Sequence, residues 1–257
     1  MTFINEVQAI LRKQGYKVMI AISSENPKQE RENLLMMEQL RVDGILMSVC
    51  DKDQNVDLYN KVIERGIPIV FFDRTVEGVQ ASQVRMDDYI MAFFMVEALL
   101  RKGYKHILHI PGPAYIRNSR ERQRGYRDAL EKFHVAYQAQ DILQPALSAE
   151  EGSRVMEQYL EKNIPFDAVF GFTETAVLGA KSTLQKHKMR IPDDVALCCM
   201  SGTALATLVH PQLTAVEQPI GEMARESCRL LMEHLADNNK KTEEIALRGE
   251  TVVREST

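Results

Sequence analysis

Residues 44–74, GILMSVCDKDQNVDLYNKVIERGIPIVFFDR, decide the fold class. Two short apolar runs, 44–48 and 67–72, flank a segment from Val56 to Arg65 whose apolar residues recur at helical spacing and which stops at Gly66. Two buried strands joined through a helix run parallel, because a crossover of this length carries the chain back to the same edge of the sheet. The stretch therefore predicts one strand–helix–strand unit of a parallel sheet.

The same alternation of short apolar runs and longer helical segments continues along all 257 residues. Further helices are predicted at 3–11, 26–40, 89–102, 119–133, 151–162, 174–187 and 219–235, and further strands at 17–22, 106–110, 168–170, 195–200, 213–216, 244–247 and 251–254. One sheet with so many parallel strands is unusual. The predicted fold class is therefore α/β, with two doubly wound lobes and a ligand cleft between them.

The composition indicates which binding partners and which cellular compartment to expect. The 36 acidic and 32 basic residues leave a net charge of −4, which argues against nucleic acid or an anionic membrane as the main partner. Three of the four cysteines lie in apolar runs, which is typical of reduced thiols in a cytoplasmic protein. The first residues lack the basic and apolar regions of an export signal, and no apolar stretch approaches the length of a membrane span. We therefore expect a cytoplasmic protein without membrane insertion.

No group of residues in the sequence is typical of catalysis. His106 and His109 are three apart on a predicted strand and so face opposite sides, which is unsuited to shared metal binding. The neighbouring carboxylates of Asp87 and Asp88 diverge, and nucleophile elbows and phosphate-binding glycine loops are lacking. The sequence therefore predicts a binding protein, not an enzyme, with no cofactor and no metal.

Arg122 is the first candidate ligand-binding residue. At 100° per residue, Arg122 lies on the edge of the apolar helix stripe that contains Tyr126, Ala129 and Leu130. Facing a solvent-filled cleft, its planar guanidinium could bind two hydroxyls, a carboxylate or a phosphate, and its replacement by alanine would then cost little stability. The alternative is an internal salt bridge with Glu121 or a nearby aspartate.

Asp73 is a second candidate, because it ends an apolar strand at the edge where parallel sheets bind ligands. Its carboxylate can accept hydrogen bonds from the hydroxyls of a sugar. The alternative is a pair with adjacent Arg74, although the two side chains point to opposite sides if the strand conformation persists.

Four passages resemble the effector-binding domain of the lac and purine repressor family of bacterial transcription regulators. They are 42–45 (VDGI), 67–74 (IPIVFFDR), 119–122 with Gly125-Tyr126, and 211–219 (PQLTAVEQP). The resemblance extends in order along essentially the whole chain. It implies the fold of periplasmic sugar-binding proteins, with two Rossmann-like lobes joined by three crossovers, the first formed by 1–86 plus 218–249 and the second by 87–217 plus 250–257.

The resemblance also implies a function. The two lobes would close on a small, polar, sugar-like effector and so control DNA binding by an N-terminal head domain that this chain does not include. Such regulators pair their effector domains, which predicts a homodimer. The alternatives are an extracytoplasmic solute-binding protein, disfavoured by the lack of an export signal, and a sugar-modifying enzyme.

The effector arginine of the family falls on Arg122, which strengthens that candidate. Met86 falls on a position that often contacts the ligand, with a core residue as the alternative. Gln218, before Pro219, falls on a position that reaches the ligand from the third crossover, with hinge packing as the alternative.

Two candidate positions depart from the pattern of the family. Thr173 is the first residue of a pair that is commonly Asn-Asp, and Ser201 stands where an aspartate is common. Each side chain can donate or accept a hydrogen bond, but neither carries a charge or binds in a bidentate manner. An unusual effector is therefore expected.

The resemblance places a helix-turn-helix, a hinge helix and a first strand before the opening helix, none of which this sequence contains. That strand would lie between the strand at 18–22 and the strand at 44–48. We expect the resulting gap to be closed or filled by another segment, because an unpaired apolar edge is a template for strand addition. The chain as given is expected to bind no operator and to sense its effector poorly.

Overall fold

The computed structural model describes residues 2–237 and 239–257. The chain divides into two compact units. Unit 1 comprises the residues up to Met86, Tyr115–Arg117 and Pro219–Arg248, and unit 2 comprises Asp87–Ala114, Asn118–Gln218 and Gly249–Thr257.

The elements alternate between helix and strand over most of the chain. In chain order they are α1 (Phe3–Lys13), α2 (Pro27–Gln39), β1 (Ile45–Met47), α3 (Val56–Glu64), β2 (Ile69–Phe72), β3 (Ser82–Met86), α4 (Asp88–Arg101), β4 (Ile107–Ile110), α5 (Arg117–Lys132), α6 (Ala149–Leu160), β5 (Ala168–Gly171), α7 (Glu174–Lys186), β6 (Ala196–Gly202), α8 (Leu205–Leu208), β7 (Thr214–Glu217), α9 (Ile220–Ala236), β8 (Glu244–Leu247) and β9 (Glu250–Val252). The predicted α/β class is confirmed.

Unit 1 contains a four-stranded sheet in the order β1-β2-β3-β8, in which every pair of neighbours is parallel. Successive residues of β2 enter different cores, because side chains alternate between the faces of a strand. Ile69 and Phe71 pack with Leu34 of α2 and Leu58 of α3. Val70 packs against residues of α9 on the other face. The sheet is therefore covered on both faces, as its run of apolar residues requires.

Unit 2 contains a five-stranded sheet in the order β4-β5-β6-β7-β9. Its pairs are parallel except for β9, which runs antiparallel to β7. Helices α6 and α7 lie so close together that a Cβ atom added to Gly179 would stand 1.9 Å from the carbonyl oxygen of Ala149. Glycine on the facing helix surfaces permits this approach, since it has no side chain.

Helix starts coincide with side chains that can cap them. The Asn26 carboxamide accepts hydrogen bonds from the backbone N–H groups of Lys28 and Gln29 at the start of α2. Thr173 caps α7 in the same way through Ala176. These caps satisfy N–H groups that have no partner inside the helix.

The predicted strand at 17–22 is wrong. The segment is not part of either sheet, and the exposed fractions of Met19, Ile20 and Ile22 are 46, 48 and 74%. An apolar run of this kind is buried only when strands pair on its sides and helices cover its faces. Among the described residues no strand pairs with it, so its hydrophobic side chains stay at the surface.

Strand β3 was not anticipated, because its sequence, SQVRM, is half polar. Ser82 and Gln83 are nevertheless buried. The Ser82 hydroxyl lies 2.7 Å from Nε2 of His234, and the Gln83 side-chain amide donates to the carbonyl of Val76. Hydrogen bonds to distant parts of the chain thus make polar residues compatible with a buried strand.

The composition led us to expect reduced cysteines and no membrane span. All four cysteines are free and buried. Within residues 2–237 and 239–257, no helix combines the length and the apolar character that a membrane crossing requires.

Candidate functional site

Helix α5 presents its predicted apolar face to the sheet of unit 2. Tyr126 and Ala129 are fully buried, whereas Arg120, Arg124 and Arg127 are exposed. The Tyr126 hydroxyl donates to the carbonyl of Ile107 in β4, which fixes the helix against the sheet. This anchoring determines where Arg122, one turn earlier, is held.

The guanidinium of Arg122 is buried, with 2% of its side chain exposed. Its Nε donates to Oδ1 of Asp88 at 2.7 Å, and its Nη2 lies 2.7 Å from the same oxygen. Its Nη1 donates to the carbonyl of Phe172 at 2.6 Å and to Oγ of Ser201 at 3.3 Å. The internal salt bridge that the sequence left open as an alternative is therefore present, with Asp88 as its acid.

The Phe172 ring also supports the guanidinium, whose central carbon lies 4.4 Å from the ring centroid. This ring occupies the space beside Gly112, where an added Cβ would approach it to 2.6 Å. Gly112 lies in the Pro111-Gly112-Pro113 segment that follows β4, and its lack of a side chain makes room for the Phe172 ring under the guanidinium.

These contacts change two expectations for Arg122. Nη1 and Nη2 of Arg122 both have hydrogen-bond partners, so a ligand can bind both nitrogens in a bidentate manner only by displacing one of these partners. The expected exposure of Arg122 to a solvent-filled cleft is wrong, and we now expect an alanine substitution to lower stability, because it would remove the ionic partner of the buried Asp88 carboxylate.

Ser201 and Thr173 lie at the carboxyl ends of neighbouring strands. Ser201, near the end of β6, is half-buried and accepts from Arg122. Thr173 follows β5, and its hydroxyl oxygen accepts from the N–H of Ala176 at 3.2 Å. Two of the predicted residues, Arg122 and Ser201, are thus brought into direct contact.

Glu174 provides a further charge at this edge. It is buried, and its two carboxylate oxygens accept from the backbone N–H of Thr203 at 3.1 Å and from the Thr203 hydroxyl at 2.5 Å. The carboxylate therefore already has local hydrogen bonds that satisfy it in a buried place.

The candidates of unit 1 lie directly after β2. Asp73 has a φ angle of 55°, so the strand conformation ends before it and the predicted divergence of Asp73 and Arg74 does not apply. Nη1 of Arg74 donates to Oε2 of Glu25 at 2.5 Å. Asp73, Arg74 and Glu25 are among the residues that line a groove of about 540 Å³, as is Ser48.

Met86 and Gln218 occupy different surroundings. Met86, the last residue of β3, is 0% exposed, which is the environment of a core methionine. Gln218 is half-buried in the connection between β7 and α9. The ligand contacts expected for both residues stay predictions.

Asp88 is a residue whose role sequence reasoning missed. The pair Asp87-Asp88 was interpreted only as two diverging carboxylates, and they do take separate roles. Oδ1 of Asp87 accepts from the N–H of Ile90 at the start of α4, while Asp88 binds Arg122. The available signal was the presence of two acids at a helix start, because one can cap the helix while the other turns inward to a buried partner.

Glu30 was also missed. This residue of α2 is buried and accepts from the Tyr59 hydroxyl at 2.5 Å, from the Asn55 amide at 2.9 Å and from the N–H of Cys50 at 2.7 Å. Its partners lie 20 to 29 residues along the chain, so local periodicity contains no signal for the cluster. Glu30 fixes the loop that follows β1.

His109 is fully buried, and its ring stacks near those of Tyr126 and Phe170, with centroid distances of 5.3 and 4.9 Å. Its Nδ1 lies 3.0 Å from the Phe170 carbonyl. Burial lowers the pKa of His109 to about 4, so the ring is neutral near pH 7. Among the described residues, no group of three His, Cys, Asp or Glu side chains is arranged to hold a metal.

The model of the periplasmic binding protein-like domain family matches residues 96–257, which include the α5 passage and the 211–219 passage. The chain belongs to this family. Similar curated proteins are transcription regulators. The chain is 27% identical over 244 residues to the HTH-type transcriptional regulator DegA of Bacillus subtilis, covering 95% of this chain and 72% of that protein.

The ribose operon repressor of Halalkalibacterium halodurans is 27% identical over 251 residues, covering 98% of this chain and 73% of the repressor. Among solved structures, the complex of the transcriptional regulator CelR with cellobiose superposes with a TM-score of 0.90 at 26% identity, covering 99% of this chain and 78% of that one. The resemblance to the lac and purine repressor family is confirmed, and the relatives are regulators rather than enzymes.

Proposed function

We propose that this chain is the effector-sensing part of a bacterial transcription regulator of the lac and purine repressor type. One observation carries the proposal: 98% of the chain matches a repressor along 73% of the repressor's length. The net charge of −4 supports a division of labour in which DNA is bound by a separate N-terminal head domain. Function in the cytoplasm follows from the same role.

The proposed effector is a small, uncharged molecule rich in hydroxyl groups. At the carboxyl edge of unit 2, Asp88 offsets the charge of Arg122, and Glu174 already has its own donors. An anionic ligand would therefore find no unpaired cation among these residues. The hydroxyls of Ser201 and Thr173 suit a neutral polyol, and CelR is a relative whose structure holds cellobiose.

Each predicted residue has a proposed part in effector binding. Arg122 can direct one remaining Nη2 hydrogen toward a ligand oxygen, Ser201 supplies a hydroxyl in contact with it, and Thr173 supplies a second hydroxyl after the neighbouring strand β5. In unit 1, the Asp73 carboxylate is proposed to accept from ligand hydroxyls. Gln218 and Met86 are proposed as a polar and an apolar contact.

Calorimetry on the 257-residue protein tests the effector class. The ligands are cellobiose and ribose, and the comparison ligands are the phosphorylated forms of the same sugars. We expect at least one neutral sugar to bind and Ser201→Ala to weaken that binding about tenfold, the effect of one lost hydrogen bond. Thr207→Ala, which removes an exposed hydroxyl on α8, is the matched control. Binding of the phosphorylated forms alone would contradict the proposal.

A fusion to the DNA-binding head of a relative tests the regulatory role. A reporter gene under the matching operator should be repressed by the fusion and should respond to the sugar found by calorimetry. Repression that no bound sugar alters would separate ligand binding from regulation and would exclude the sensing role.

A homodimer is proposed as the assembled form, since paired effector domains place two heads on two half-sites. Sedimentation velocity at micromolar concentration distinguishes a dimer from a monomer. A monomer over the whole concentration range would exclude the dimer.

A further inference from the structure

A groove of about 300 Å³ lies where the strands of the unit 1 sheet begin, and we call it the amino-edge groove. Its lining includes Pro68 and Ile69 at the start of β2, Ala81 just before β3, Thr242 before β8 and His234 in the last turn of α9. These strands are parallel, so their starts share one edge of the sheet. The effector candidates of unit 1 follow the other end of β2. The groove therefore lies at the opposite edge from them, and its volume is at the lower end of the range for small-molecule sites.

The walls of the amino-edge groove are apolar. Ile69 and Ala81 are buried, and Ile63 and Pro68 are half-buried. An apolar molecule is stabilised against such walls because both surfaces lose contact with water. A molecule with hydroxyls on every side would instead lose hydrogen bonds to water that the walls do not replace. The walls therefore favour a largely apolar ligand.

His234 brings a polar ring to this apolar groove. Its side chain is 8% exposed, and its Nε2 lies 2.7 Å from the hydroxyl oxygen of Ser82. Ser82 is fully buried, and the same oxygen accepts from the backbone N–H of Glu243 at 3.0 Å. The two hydrogen bonds at Ser82 determine which nitrogen of the imidazole carries a proton.

A serine hydroxyl has one hydrogen to donate, and a buried one needs an acceptor. Among the described residues, the acceptor within reach of Ser82 is Nε2 of His234. Nε2 therefore carries no hydrogen, and the neutral ring has its proton on Nδ1. Burial lowers the pKa of His234 below its ordinary value of 6.5, which keeps the ring neutral near pH 7.

The Nδ1–H group of His234 is left as an unused donor. Within residues 2–237 and 239–257, Nδ1 makes no hydrogen bond and is not enclosed by the protein. Because the imidazole lines the groove, a bound molecule can supply the missing acceptor. An oxygen without a hydrogen of its own, such as a carbonyl oxygen, is the simplest partner.

The charged side chains beside the groove are paired with one another. Nζ of Lys240 lies 2.9 Å from Oε2 of Glu233 and 3.2 Å from Oε1 of Glu243. Arg229 pairs with the same two glutamates. Carboxylates of the protein thus offset these cations, which disfavours an anionic ligand. Glu64 is exposed at the groove, where a cationic ligand would gain little from it.

We infer that the amino-edge groove is a second small-molecule site, which takes an uncharged compound with an apolar body and a carbonyl oxygen that accepts from Nδ1 of His234. This chemistry differs from that of the hydroxyl-rich effector, so the inference does not depend on the proposed function. A molecule bound here contacts the end of α9 and the starts of β2 and β3 together, and it stabilises unit 1 because it binds only the folded state.

The probe is benzamide, which combines an apolar ring with an uncharged carbonyl group, and the comparison compound is benzoate, which is anionic. Nuclear magnetic resonance of the 257-residue protein with ¹⁵N-labelled histidine reports both ring nitrogens. We expect Nδ1 of His234 to carry the proton and its signal to shift with benzamide. The dissociation constant should be on the order of 1 mM, as for a fragment of about nine non-hydrogen atoms. Benzoate should bind at least tenfold more weakly.

Two variants locate the binding site. His234→Phe keeps an aromatic ring and removes the donor, so benzamide binding should fall at least tenfold. His187→Phe makes the same change at an exposed histidine of unit 2 and should leave benzamide binding unchanged. His234→Phe also removes the acceptor of the Ser82 hydroxyl. If that variant does not fold, the response of the His234 signal in the wild-type protein decides the question.

A proton on Nε2 of His234, or a His234 signal that millimolar benzamide leaves unchanged, would overturn the inference. Displacement of benzamide by the sugar found by calorimetry, with no response at His234, would overturn it as well, because the probe would then occupy the effector site. A protein that binds no sugar but shows the benzamide response at His234 would contradict the proposed effector and support the second site.

Discussion

The two units differ in how completely their side chains are paired within the protein. In unit 2, the side chains at the carboxyl edge are bound to one another, with Arg122 held by Asp88, Phe172 and Ser201. In unit 1, the edge strand β1 faces an open groove, and hydrophobic side chains such as Ile22 are exposed. The side chains of this part of unit 2 are thus paired without a ligand, whereas unit 1 leaves several hydrophobic side chains exposed.

The two regions also differ in the free energy that an unpaired group costs. A buried ion pair stabilises only while both partners are present, since either charge alone is strongly unfavourable in the interior. Exposed apolar surface costs only its hydration, roughly 25 cal/mol per Å². Mutations in the two units should therefore differ sharply in their effect on stability.

The largest effect is expected at the buried ion pair. Arg122→Ala should lower the free energy of unfolding by about 3–5 kcal/mol, because the Asp88 carboxylate stays buried without its guanidinium. Urea titration followed by circular dichroism measures the loss. Sugar calorimetry on the same variant, below its unfolding range, tests the proposed ligand contact.

Arg124→Ala is the matched control, since Arg124 is exposed on the same helix and its ion pair with Glu121 is worth about 0–1 kcal/mol. Replacing both partners by apolar residues, as Arg122→Met with Asp88→Leu, should recover part of the loss. Equal effects of the Arg122 and Arg124 substitutions would mean that the pair is not buried in solution.

The next effect concerns pH. Burial lowers the pKa of His109 to about 4, below the ordinary value of 6.5, so the folded state takes up this proton at a lower pH than the unfolded chain. The resulting stability is fully present above pH 6.5 and is lost as the pH falls towards 4. The difference corresponds to about 3 kcal/mol.

His109→Phe should flatten this acid dependence, because phenylalanine keeps the ring stacking and takes up no proton. His106→Gln, at an exposed position just before β4, should retain it. The check is the unfolding free energy measured between pH 7 and pH 4. An unchanged slope in the His109→Phe variant would assign the acid sensitivity to the carboxylates instead.

A smaller effect is expected where helices α6 and α7 touch. Gly179→Ala places a Cβ 1.9 Å from the Ala149 carbonyl, so the helices must separate, at a cost of about 1–3 kcal/mol. In unit 1, Gly221→Ala meets only the end of the Arg225 side chain at 3.4 Å. It should be neutral or stabilise by up to about 1 kcal/mol through helix propensity. Thermal unfolding of the two variants distinguishes the tight packing from the loose one.

Local signals account for most of the elements that the sequence predicted. Strand β2 is a continuous apolar run and α5 has a clear stripe, so both were recognised. The run at 17–22 has the same apolar signal as β2 but pairs with no strand in the described structure. Pairing depends on residues far away in the sequence, which composition cannot reveal.

In the candidate site, too, local sequence patterns predicted the position of a residue but not its distant partner. The helix stripe pointed to Arg122, but its partner Asp88 lies 34 residues earlier and belongs to another helix. Sequence reasoning left a salt bridge open without being able to choose the acid. Ligand contacts of Asp73, Gln218 and Met86 depend on a bound effector and stay predictions.

The smallest effect is expected at Ile22, and it tests whether the segment at 17–22 is exposed in solution. Ile22→Ala should change the free energy of unfolding by less than about 0.5 kcal/mol, because the side chain is 74% exposed. Ile69→Ala makes the same chemical change in β2, where the side chain is buried, and should cost about 2–5 kcal/mol. Urea titration of both variants provides the comparison. If the two substitutions cost the same, the segment at 17–22 is packed in solution as tightly as β2. A near-zero value for Ile22 would instead show that its side chain stays in contact with water in the folded protein.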